Sequence, residues 1–275
     1  MTALEAPPDL STVFDHLSWS GIKTYSTCPK KFSYRYIEQI PEEFKPASLA
    51  FGGAFHKASE ALHEARIQGT AIPTLPELMA HYEQAWEQET SFASEINYGK
   101  EDDATTLKTL AERMLAAYRE HVVAEHEVTT GTQIIAIEHA ERFRLLADVP
   151  PLEMRLDLLE LRGTDLLVTD LKTSRSRWND AKVSESLPQL VLYANGLMPL
   201  LRELGATRIV PQFVVVTKAK KPVVQVLQPQ ASQTDVERLK QQVQDTWTAI
   251  KRDVFPTREG WHCSQCPYRG RCLGR

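Results

Sequence analysis

The stretch of residues 154–172 constrains the fold of this chain more than any other. Two apolar, strand-like runs flank the tetrapeptide Arg162-Gly163-Thr164-Asp165. Glycine at the first central position suits a two-residue type II′ turn, so this stretch predicts an antiparallel hairpin. In that register Asp157 lies directly opposite Asp170, with the two Cβ atoms roughly 5 Å apart.

Two carboxylates that face each other on apolar strands repel, and a divalent cation between them would relieve the repulsion. Lys172 lies two residues beyond Asp170 and points to the same face. Two acids and a lysine on one face are the groups of a phosphodiester-cleaving site, in which a metal activates water and the lysine assists. The alternative is a surface hairpin with a salt bridge, because Asp-Leu-Lys is a common tripeptide.

Periodicity predicts an α/β sandwich with a central mixed sheet. Helices are expected from Ser18 or Ser20 towards Cys28, from Pro29, after Gly52-Gly53, from Pro76, over about 103–125, from Pro188 through Tyr193 and Leu200, and over about 232–252. Strands are expected over 134–137, 143–146, 154–161, 166–172, 210–217 and 223–227. We expect a single domain, 1–275, with a helical part over about 18–127, a catalytic core over about 130–230, and a C-terminal helix and cysteine tail over about 231–275.

Composition narrows the class of protein. The chain has 275 residues and a net charge of −4, which argues mildly against a nucleic-acid binder, although basic clusters such as Lys30-Lys31 are present. Such clusters are also typical of solvated faces. No apolar run reaches the roughly 20 residues that span a bilayer, and the N-terminus does not resemble a signal peptide. We therefore expect a cytoplasmic protein without membrane contact.

The four cysteines are unevenly placed. Cys28 stands alone near the start, and Cys263, Cys266 and Cys272 lie close together near the end. In a cytosolic chain this favours metal binding over disulfides. Four thiolates can hold a [4Fe–4S] cluster or a tetrahedral zinc ion, and zinc sites more often contain two Cys-x-x-Cys pairs. Unligated cysteines are the remaining alternative.

A resemblance joins these features. Met-Arg-Leu-Asp157, a turn, and Val-Thr-Asp170-Leu-Lys172-Thr resemble the core motif of the PD-(D/E)xK nucleases. The pattern is most similar to RecB and AddB nuclease domains and to CRISPR-associated RecB-like exonucleases. Phe51-Gly-Gly-Ala-Phe-His56, Gln189-Leu-Val-Leu-Tyr193 and the cysteine spacing match the same group, so that the motifs extend from Leu17 to Cys272. Leu156 replaces the proline of the motif, and Met154 stands where the family often has glycine.

The resemblance implies a restriction-endonuclease-like core with an N-terminal helical elaboration. It implies that His56, at the start of a helix, binds Mg²⁺ or Mn²⁺ together with Asp157 and Asp170, while Lys172 assists. Gln189 would hydrogen-bond near the site, and Tyr193, one helical turn away, would touch DNA. Glu138 in an upstream strand is a candidate further acid near the metal. The resemblance also implies that Cys28, Cys263, Cys266 and Cys272 hold a structural [4Fe–4S] cluster, with zinc as the alternative occupant.

The predicted function is a metal-dependent DNA exonuclease acting on ends or single strands in DNA repair, recombination or CRISPR adaptation. One alternative is a non-catalytic iron–sulfur subunit that binds DNA or serves as a scaffold in a larger complex. Another keeps the chemistry and adds a partner, such as a helicase or an integration complex. The chain has no Gly-x-x-x-x-Gly-Lys phosphate loop, so we do not expect it to be its own motor.

Overall fold

The computed structural model describes residues 14–91, 93, 95–99, 103–128 and 131–274. The chain divides into two compact units. The first draws on Met1–Glu42, Glu141–Met154 and Ser232–Arg275, and the second on Glu43–Ala140 and Arg155–Ala231. Each unit is therefore built from segments that are far apart in the sequence. Within the described ranges, no helix is both long enough and apolar enough to cross a membrane.

Helices and strands follow one another along the chain in the order that the periodicity predicts, apart from the differences described below. The helices are α1 (Trp19–Thr27), α2 (Pro29–Phe32), α3 (Ala47–Gln68), α4 (Leu75–Ser91), α5 (Ala104–Val128), α6 (Asp180–Gly196), α7 (Met198–Glu203), α8 (Gln233–Lys251) and α9 (Arg269–Leu273). The strands are β1 (Leu17–Ser18), β2 (Lys45–Pro46), β3 (Ile96–Asn97), β4 (Thr132–Phe143), β5 (Leu152–Arg162), β6 (Asp165–Ser174), β7 (Arg208–Thr217) and β8 (Val224–Leu227). A π-helical turn (Ser33–Ile37) follows α2, and a 3-10 turn (Trp261–Gln265) precedes α9.

The second unit contains a mixed sheet. Strands β5, β6, β7 and β8 are neighbours in that order, and β4 also pairs with β5. β5 and β6 are antiparallel, β6 and β7 are parallel, and β7 and β8 are antiparallel. Helices α6 and α7 make the crossover that a parallel pair requires. With helices packed against it, this sheet confirms the predicted α/β class.

The β5–β6 hairpin has the predicted register. Leu158 pairs with Thr169 and Arg162 with Asp165, across the turn at Gly163 and Thr164. Gly163 has a φ of 60°, in the left-handed region that glycine adopts without strain. The same register, continued by one residue, sets Asp157 opposite Asp170.

Helices α3, α4 and α5 form the main apolar core of the second unit with side chains from the sheet. Leu171, Val214 and Val216 pack into this core. Phe213 and Val215 alternate with these valines along β7, so they face the other side, where Phe213 contacts the Trp178 ring at 4.9 Å between centroids. Both faces of the central strands are therefore covered.

The predicted helix start after Gly52-Gly53 is wrong, because α3 begins at Ala47 and contains both glycines. A Cβ atom on Gly53 would lie 2.5 Å from a carboxylate oxygen of Glu89 on α4. Glu89 is held in place by an ion pair with Lys45. The Glu89 carboxylate therefore occupies the space that a side chain at position 53 would need, and Gly53 does not mark a helix end.

The strand predicted over 143–146 is also wrong. β4 ends at Phe143, and residues 144–151 form the connection to β5. In this connection Leu145 and Leu146 are half-buried, and Val149 is only 2% exposed. Pro150 and Pro151 lack the N–H groups that a ladder in this segment would need.

The helix predicted to open at Pro188 begins earlier. Its N-cap is Asn179, whose side chain accepts a hydrogen bond from the Lys182 N–H at 3.0 Å. Pro188 lies inside α6, where the ring leaves the Ser184 carbonyl without its intrahelical partner. The helix ends at Gly196, and Leu200 belongs to α7. The predicted start and the predicted extension through Leu200 are both corrected.

In the first unit, the helix signals near the two ends of the chain are confirmed. Ser18 caps α1 by accepting from the Gly21 N–H at 3.1 Å. Ser232 and Asp235 form a reciprocal capping box on α8. β1 pairs in parallel with the start of β5, where Leu17 lies opposite Leu152. The two helix caps follow from serine and aspartate residues that are visible in the sequence.

The core of the first unit is rich in aromatic rings around Phe32, which is fully buried. Its ring lies between 4.8 and 6.2 Å, centroid to centroid, from those of Phe14, Tyr25, Tyr36 and Phe255. Aromatic pairs at such distances stabilise a core beyond the area that they bury. This cluster joins side chains from both ends of the chain.

Candidate active site and cysteine site

Asp157 on β5 is fixed by two contacts. Its Oδ2 accepts a hydrogen bond from the Leu171 N–H at 2.6 Å. Its Oδ1 lies 3.3 Å from Nδ1 of His56 on α3. One carboxylate oxygen is therefore held by the neighbouring strand, while the other faces the helix and is available to a ligand.

Asp170 on β6 anchors a second set of contacts. Lys172 Nζ lies 2.8 Å from its Oδ2, which confirms that the two side chains share a face. Gln189 Nε2 donates to Asp170 Oδ1 at 2.9 Å and to the Tyr193 hydroxyl oxygen at 2.6 Å. Gln189 and Tyr193 stand one turn apart on α6, so the structure brings all four predicted side chains together.

The charges of this site respond to burial and to each other. Burial raises the pKa of Asp170 to about 6; Lys172 opposes the shift and Asp157 adds to it. Burial acts against ionisation of Asp157 too, but the His56 imidazole and Lys172 hold the pKa of its carboxyl below the usual value. Burial disfavours the Lys172 ammonium, yet the two aspartates raise its pKa overall. The lysine is therefore charged at neutral pH.

His56 and Glu138 complete a possible metal-binding group with Asp157. One potential ligand atom from each residue lies within 4.8 Å of the other two, and all three side chains are half-buried. The position of His56 differs from the prediction: it is the tenth residue of α3 and does not stand at a helix start. Asp170 is predicted as a further ligand of the same metal and lies outside this close group, which contains Glu138, the candidate further acid, among the described residues.

Nitrogen and carboxylate oxygen donors suit Mg²⁺ and, because of the imidazole, Mn²⁺ still better. Burial, followed by the charge of Asp157, raises the pKa of Glu138. The Asp157 carboxylate also raises the pKa of His56 against the effect of burial. Negative charge is therefore concentrated here, and the donor set fits a divalent cation.

A small cavity lies beside this group, and sequence reasoning missed several of its residues. It is lined by His56, Ser59, Glu60, His63, Tyr118, Glu138, Asp157, Leu158, Thr169 and Leu171. Glu60 and His63 follow His56 by four and seven residues, the spacing of one helix face, which would have identified them. Glu60 is paired with Lys57 at 2.6 Å.

His63 belongs to a buried polar network behind the cavity. Its Nδ1 lies 3.2 Å from an Arg66 nitrogen, and its Nε2 lies 2.9 Å from the Tyr118 hydroxyl. Arginine can only donate, so Nδ1 accepts and the proton of the neutral ring is on Nε2. Arg66 also donates to Glu160 at 2.8 Å, and this ion pair is almost fully buried.

The four cysteines meet in the first unit. Cys28 is the N-cap of α2, Cys263 lies in the 3-10 turn, Cys266 follows that turn and Cys272 lies in α9. All four line one cavity, and none forms a disulfide. The described residues that line it include Lys31, Arg258 and Arg269, and no acid is among them. Burial raises the pKa of the Cys266 thiol, while the nearby Lys31 acts in the opposite direction. The four sulfurs around one cavity fit a bound metal, which would hold them as thiolates.

The spacing of the sulfurs bears on the choice of metal. Zn–S bonds of about 2.3 Å place the sulfurs of a tetrahedral site about 3.8 Å apart. In the described part of the chain, no three of the four cysteine sulfurs lie within 4.8 Å of one another. The sulfurs are therefore spread more widely than a formed zinc site requires.

The fold and the site define a nuclease core, and comparison with known proteins agrees. The family model described as "PD-(D/E)XK nuclease superfamily" matches residues 16–273, so the chain belongs to this superfamily. No curated protein matches the chain.

Two solved structures are similar to the chain. One is a candidate exonuclease from Eubacterium rectale, at 11% sequence identity and a TM-score of 0.55, with 98% of this chain and 92% of that chain covered. The other is SSO0001, at 13% identity and a TM-score of 0.33, with 92% and 95% covered. The first of these likenesses supports the fold.

Proposed function

We propose that this protein is a Mg²⁺- or Mn²⁺-dependent DNA exonuclease of the RecB-like type. The main support is the pair Asp157 and Asp170 on the β5–β6 hairpin. His56 lies beside Asp157, and Lys172 lies beside Asp170. Membership of the PD-(D/E)XK superfamily supports hydrolysis of phosphodiester bonds by this group. The RecB-like type rests on the resemblance of the wider motif set.

His56, Asp157 and Asp170 would hold the metal. A divalent ion bound there supplies a water of lowered pKa for attack on phosphorus. Asp157 is oriented for this role by the Leu171 N–H, which occupies one of its oxygens and leaves the other towards His56. Asp170 is oriented by Gln189 and Lys172.

Lys172 is placed to orient the attacking water and to stabilise charge that develops on the phosphate. It carries its proton at neutral pH, because the aspartates favour the ammonium form, so it acts as a donor and not as a base. Gln189 spans the site by donating to both Asp170 and Tyr193. It therefore acts as a positioning residue that couples the carboxylate to α6.

The choice of DNA ends or single strands as substrate can be tested with matched DNA forms. Purified protein with Mg²⁺ or Mn²⁺ is incubated with linear duplex, linear single-stranded and closed circular DNA of one sequence. An exonuclease degrades the linear forms and leaves the circles intact. Equal cleavage of circular and linear DNA would instead identify an endonuclease, and the position of a 5′ or 3′ label in the products gives the polarity.

We further propose that Cys28, Cys263, Cys266 and Cys272 hold a structural [4Fe–4S] cluster. The shared cavity and the basic side chains around it support a metal held by these four sulfurs, and the preference for a cluster over zinc rests on the resemblance of the cysteine spacing. The expected result is about four iron and four sulfide per chain in protein purified without oxygen. One zinc per chain, with no iron, would identify the alternative occupant.

A non-catalytic role has a distinct signature. If the protein is a DNA-binding or scaffold subunit, it binds DNA without cleaving it under every metal tested. If it processes ends for a helicase or an integration complex, cleavage emerges only when that partner is added. His56 lies against Asp157, and Lys172 and Gln189 lie against Asp170, which favours the catalytic proposal.

A further inference from the structure

A set of basic side chains lies where strands β6 and β7 end. Ser174 is the last residue of β6 and Thr217 the last of β7, and the two are neighbours in the parallel register. The segments 171–179 and 209–234 contain no acid, although the whole chain has a net charge of −4. Their bases are Lys172, Arg175, Arg177, Lys218, Lys220 and Lys221. Positive charge is therefore concentrated at one edge of the sheet.

Four of these bases are exposed and lack an acid to pair with. Arg175, Arg177, Lys220 and Lys221 make no ion pair with any residue in the described part of the chain. Like charges on one surface repel each other, and an anionic partner relieves the repulsion. Exposed bases elsewhere in the second unit do lie against acids, as in the pairs Lys108–Glu83, Lys182–Glu185 and Arg208–Asp165.

The two loops that carry these side chains are fixed to each other and to the sheet. The Lys218 N–H donates to the Ser174 carbonyl at 2.6 Å. The Gln225 side chain on β8 accepts from the Trp178 N–H at 2.9 Å and donates to the Trp178 carbonyl at 3.0 Å. The Trp178 ring is buried against Phe213. The loop after β6 is therefore anchored at both ends, so little backbone ordering is needed when an anion binds there.

The same edge lies next to the candidate active site. Lys172 precedes Arg175 by three residues, and three residues of extended chain span at most about 11 Å. In open α/β sheets, ligands bind beyond the carboxyl ends of the strands, which is where these loops lie. A strand of DNA with one phosphate at Lys172 thus has neighbouring phosphates within reach of the arginines.

We propose that Arg175, Arg177, Lys220 and Lys221, here called the basic edge, hold the phosphates of DNA beside the bond that is cleaved. This inference rests on the proposed function, because it takes the substrate at Lys172 to be DNA. Arginine binds phosphate with a planar fork of donors and lysine with a compact charge. Contacts to phosphate carry no base information, so the basic edge positions the strand without selecting a sequence.

The test is the affinity for a labelled single-stranded DNA, measured by fluorescence anisotropy in EDTA at several salt concentrations. The variants Arg175→Gln/Arg177→Gln and Lys220→Gln/Lys221→Gln each remove two charges from the basic edge. All four side chains are exposed, so their loss should leave the fold intact. Circular dichroism verifies this for each variant.

The matched control is Arg202→Gln/Arg208→Gln, which removes two charges at the opposite end of β7. Both side chains are exposed. Arg208 is the first residue of β7, and Arg202 lies on α7, in the turn that leads into that strand. The control therefore changes the net charge of the protein by the same amount as each basic-edge variant.

The size of the effect follows from the release of counterions. Each lost contact lowers the slope of log affinity against log salt by about 0.7 for single strands, so two contacts account for about 1.4, or about 25-fold in affinity at about 0.1 M salt relative to 1 M. We expect this loss in both basic-edge variants and a change below about 2-fold in the control. In cleavage assays KM should rise by a similar factor with kcat unchanged, because only binding contacts are lost.

The contrary results separate this inference from the proposed function. If the basic-edge variants bind like the control, or the wild type does not bind under these conditions, the basic edge does not hold DNA; the proposed function stands if the wild type cleaves DNA with metal. A lower kcat at unchanged KM would place these side chains in the chemistry instead. If the wild type cleaves no DNA with Mg²⁺ or Mn²⁺, the proposed function fails, and the inference fails with it.

Discussion

The buried His63 network makes the stability of this protein sensitive to mild acid. Its imidazole accepts from Arg66 at Nδ1 and donates from Nε2 to the Tyr118 hydroxyl. Protonation would place a second hydrogen at Nδ1, against the Arg66 guanidinium. The folded state therefore requires the neutral ring.

The size of the effect follows from the pKa. Burial, followed by the charge of Arg66, lowers the pKa of His63 from 6.5 to about 4. In the unfolded chain the imidazole takes up its proton near pH 6.5, while the folded protein does not. The stabilisation from a neutral His63 is thus complete above pH 6.5 and is lost as the pH falls towards 4. It amounts to about 3 kcal/mol in all, of which about 2 kcal/mol is lost at pH 5.

The measurement is urea unfolding at pH 7.5 and at pH 5 for the wild type and His63→Gln. Glutamine keeps a donor and an acceptor but does not titrate. The variant should be less stable than the wild type at pH 7.5, because its packing is not ideal. Between the two pH values it should lose about 2 kcal/mol less than the wild type does. His81→Gln, at an exposed histidine, is the matched control and should follow the wild type.

Only the difference between the variants measures the contribution of His63, because other groups titrate in the same pH range. If His63→Gln loses as much free energy of unfolding between pH 7.5 and pH 5 as the wild type, His63 is not held neutral by the fold. A His81→Gln variant that matches His63→Gln would show that any histidine produces the effect.

Two other substitutions test stability elsewhere. Glu160→Gln leaves the buried Arg66 guanidinium without its countercharge and should lower the free energy of unfolding by about 3–5 kcal/mol at pH 7.5; a loss below about 1 kcal/mol would mean that the pair is solvated. Cys28→Ala should abolish iron binding and remove a cross-link between distant segments, which the chain-entropy model places at about 5 kcal/mol. An unchanged melting temperature and metal content in that variant would refute a structural cluster.

The hairpin that carries the site was predictable from the sequence because its determinants are local. Period-two alternation, a glycine at the turn and the distance from turn to carboxylate fix which residues pair. The same holds for Lys172, two residues beyond Asp170 on one strand. Nothing outside 154–172 was needed to place these three side chains.

The failures arose where tertiary contacts override local signals. Gly53 indicates a helix break in the sequence but lies inside α3, where the Glu89 carboxylate occupies the space of a side chain. Pro188 indicates a helix start but lies inside α6, whose N-terminus is set by the Asn179 cap. In both cases the residue type was interpreted by its commonest use, and packing decided otherwise.

The backbone and the surroundings of Glu138 are also not predicted by the sequence. Its φ of 48° lies in the left-handed region and departs from strand geometry. Glutamate does not favour this region, so the sequence does not predict this backbone conformation. Its proximity to His56 and Asp157 also depends on how β4 and α3 are placed around β5. The sequence gives the pairing of the two aspartates and names Glu138 as a candidate further acid, while its closeness to His56 and Asp157 is seen only in the three-dimensional structure.

Degradation of a 5′-labelled linear DNA by wild type and Asp157→Asn, across a titration of Mn²⁺, addresses the proposed nuclease site itself. We predict cleavage by the wild type that requires the metal, and cleavage by Asp157→Asn that stays at the metal-free background. Glu60→Gln is the control, because Glu60 is paired with Lys57 and lies outside the close group, and it should cleave like the wild type. Metal-dependent cleavage by Asp157→Asn at the wild-type rate would show that the hairpin carboxylates are not the active site.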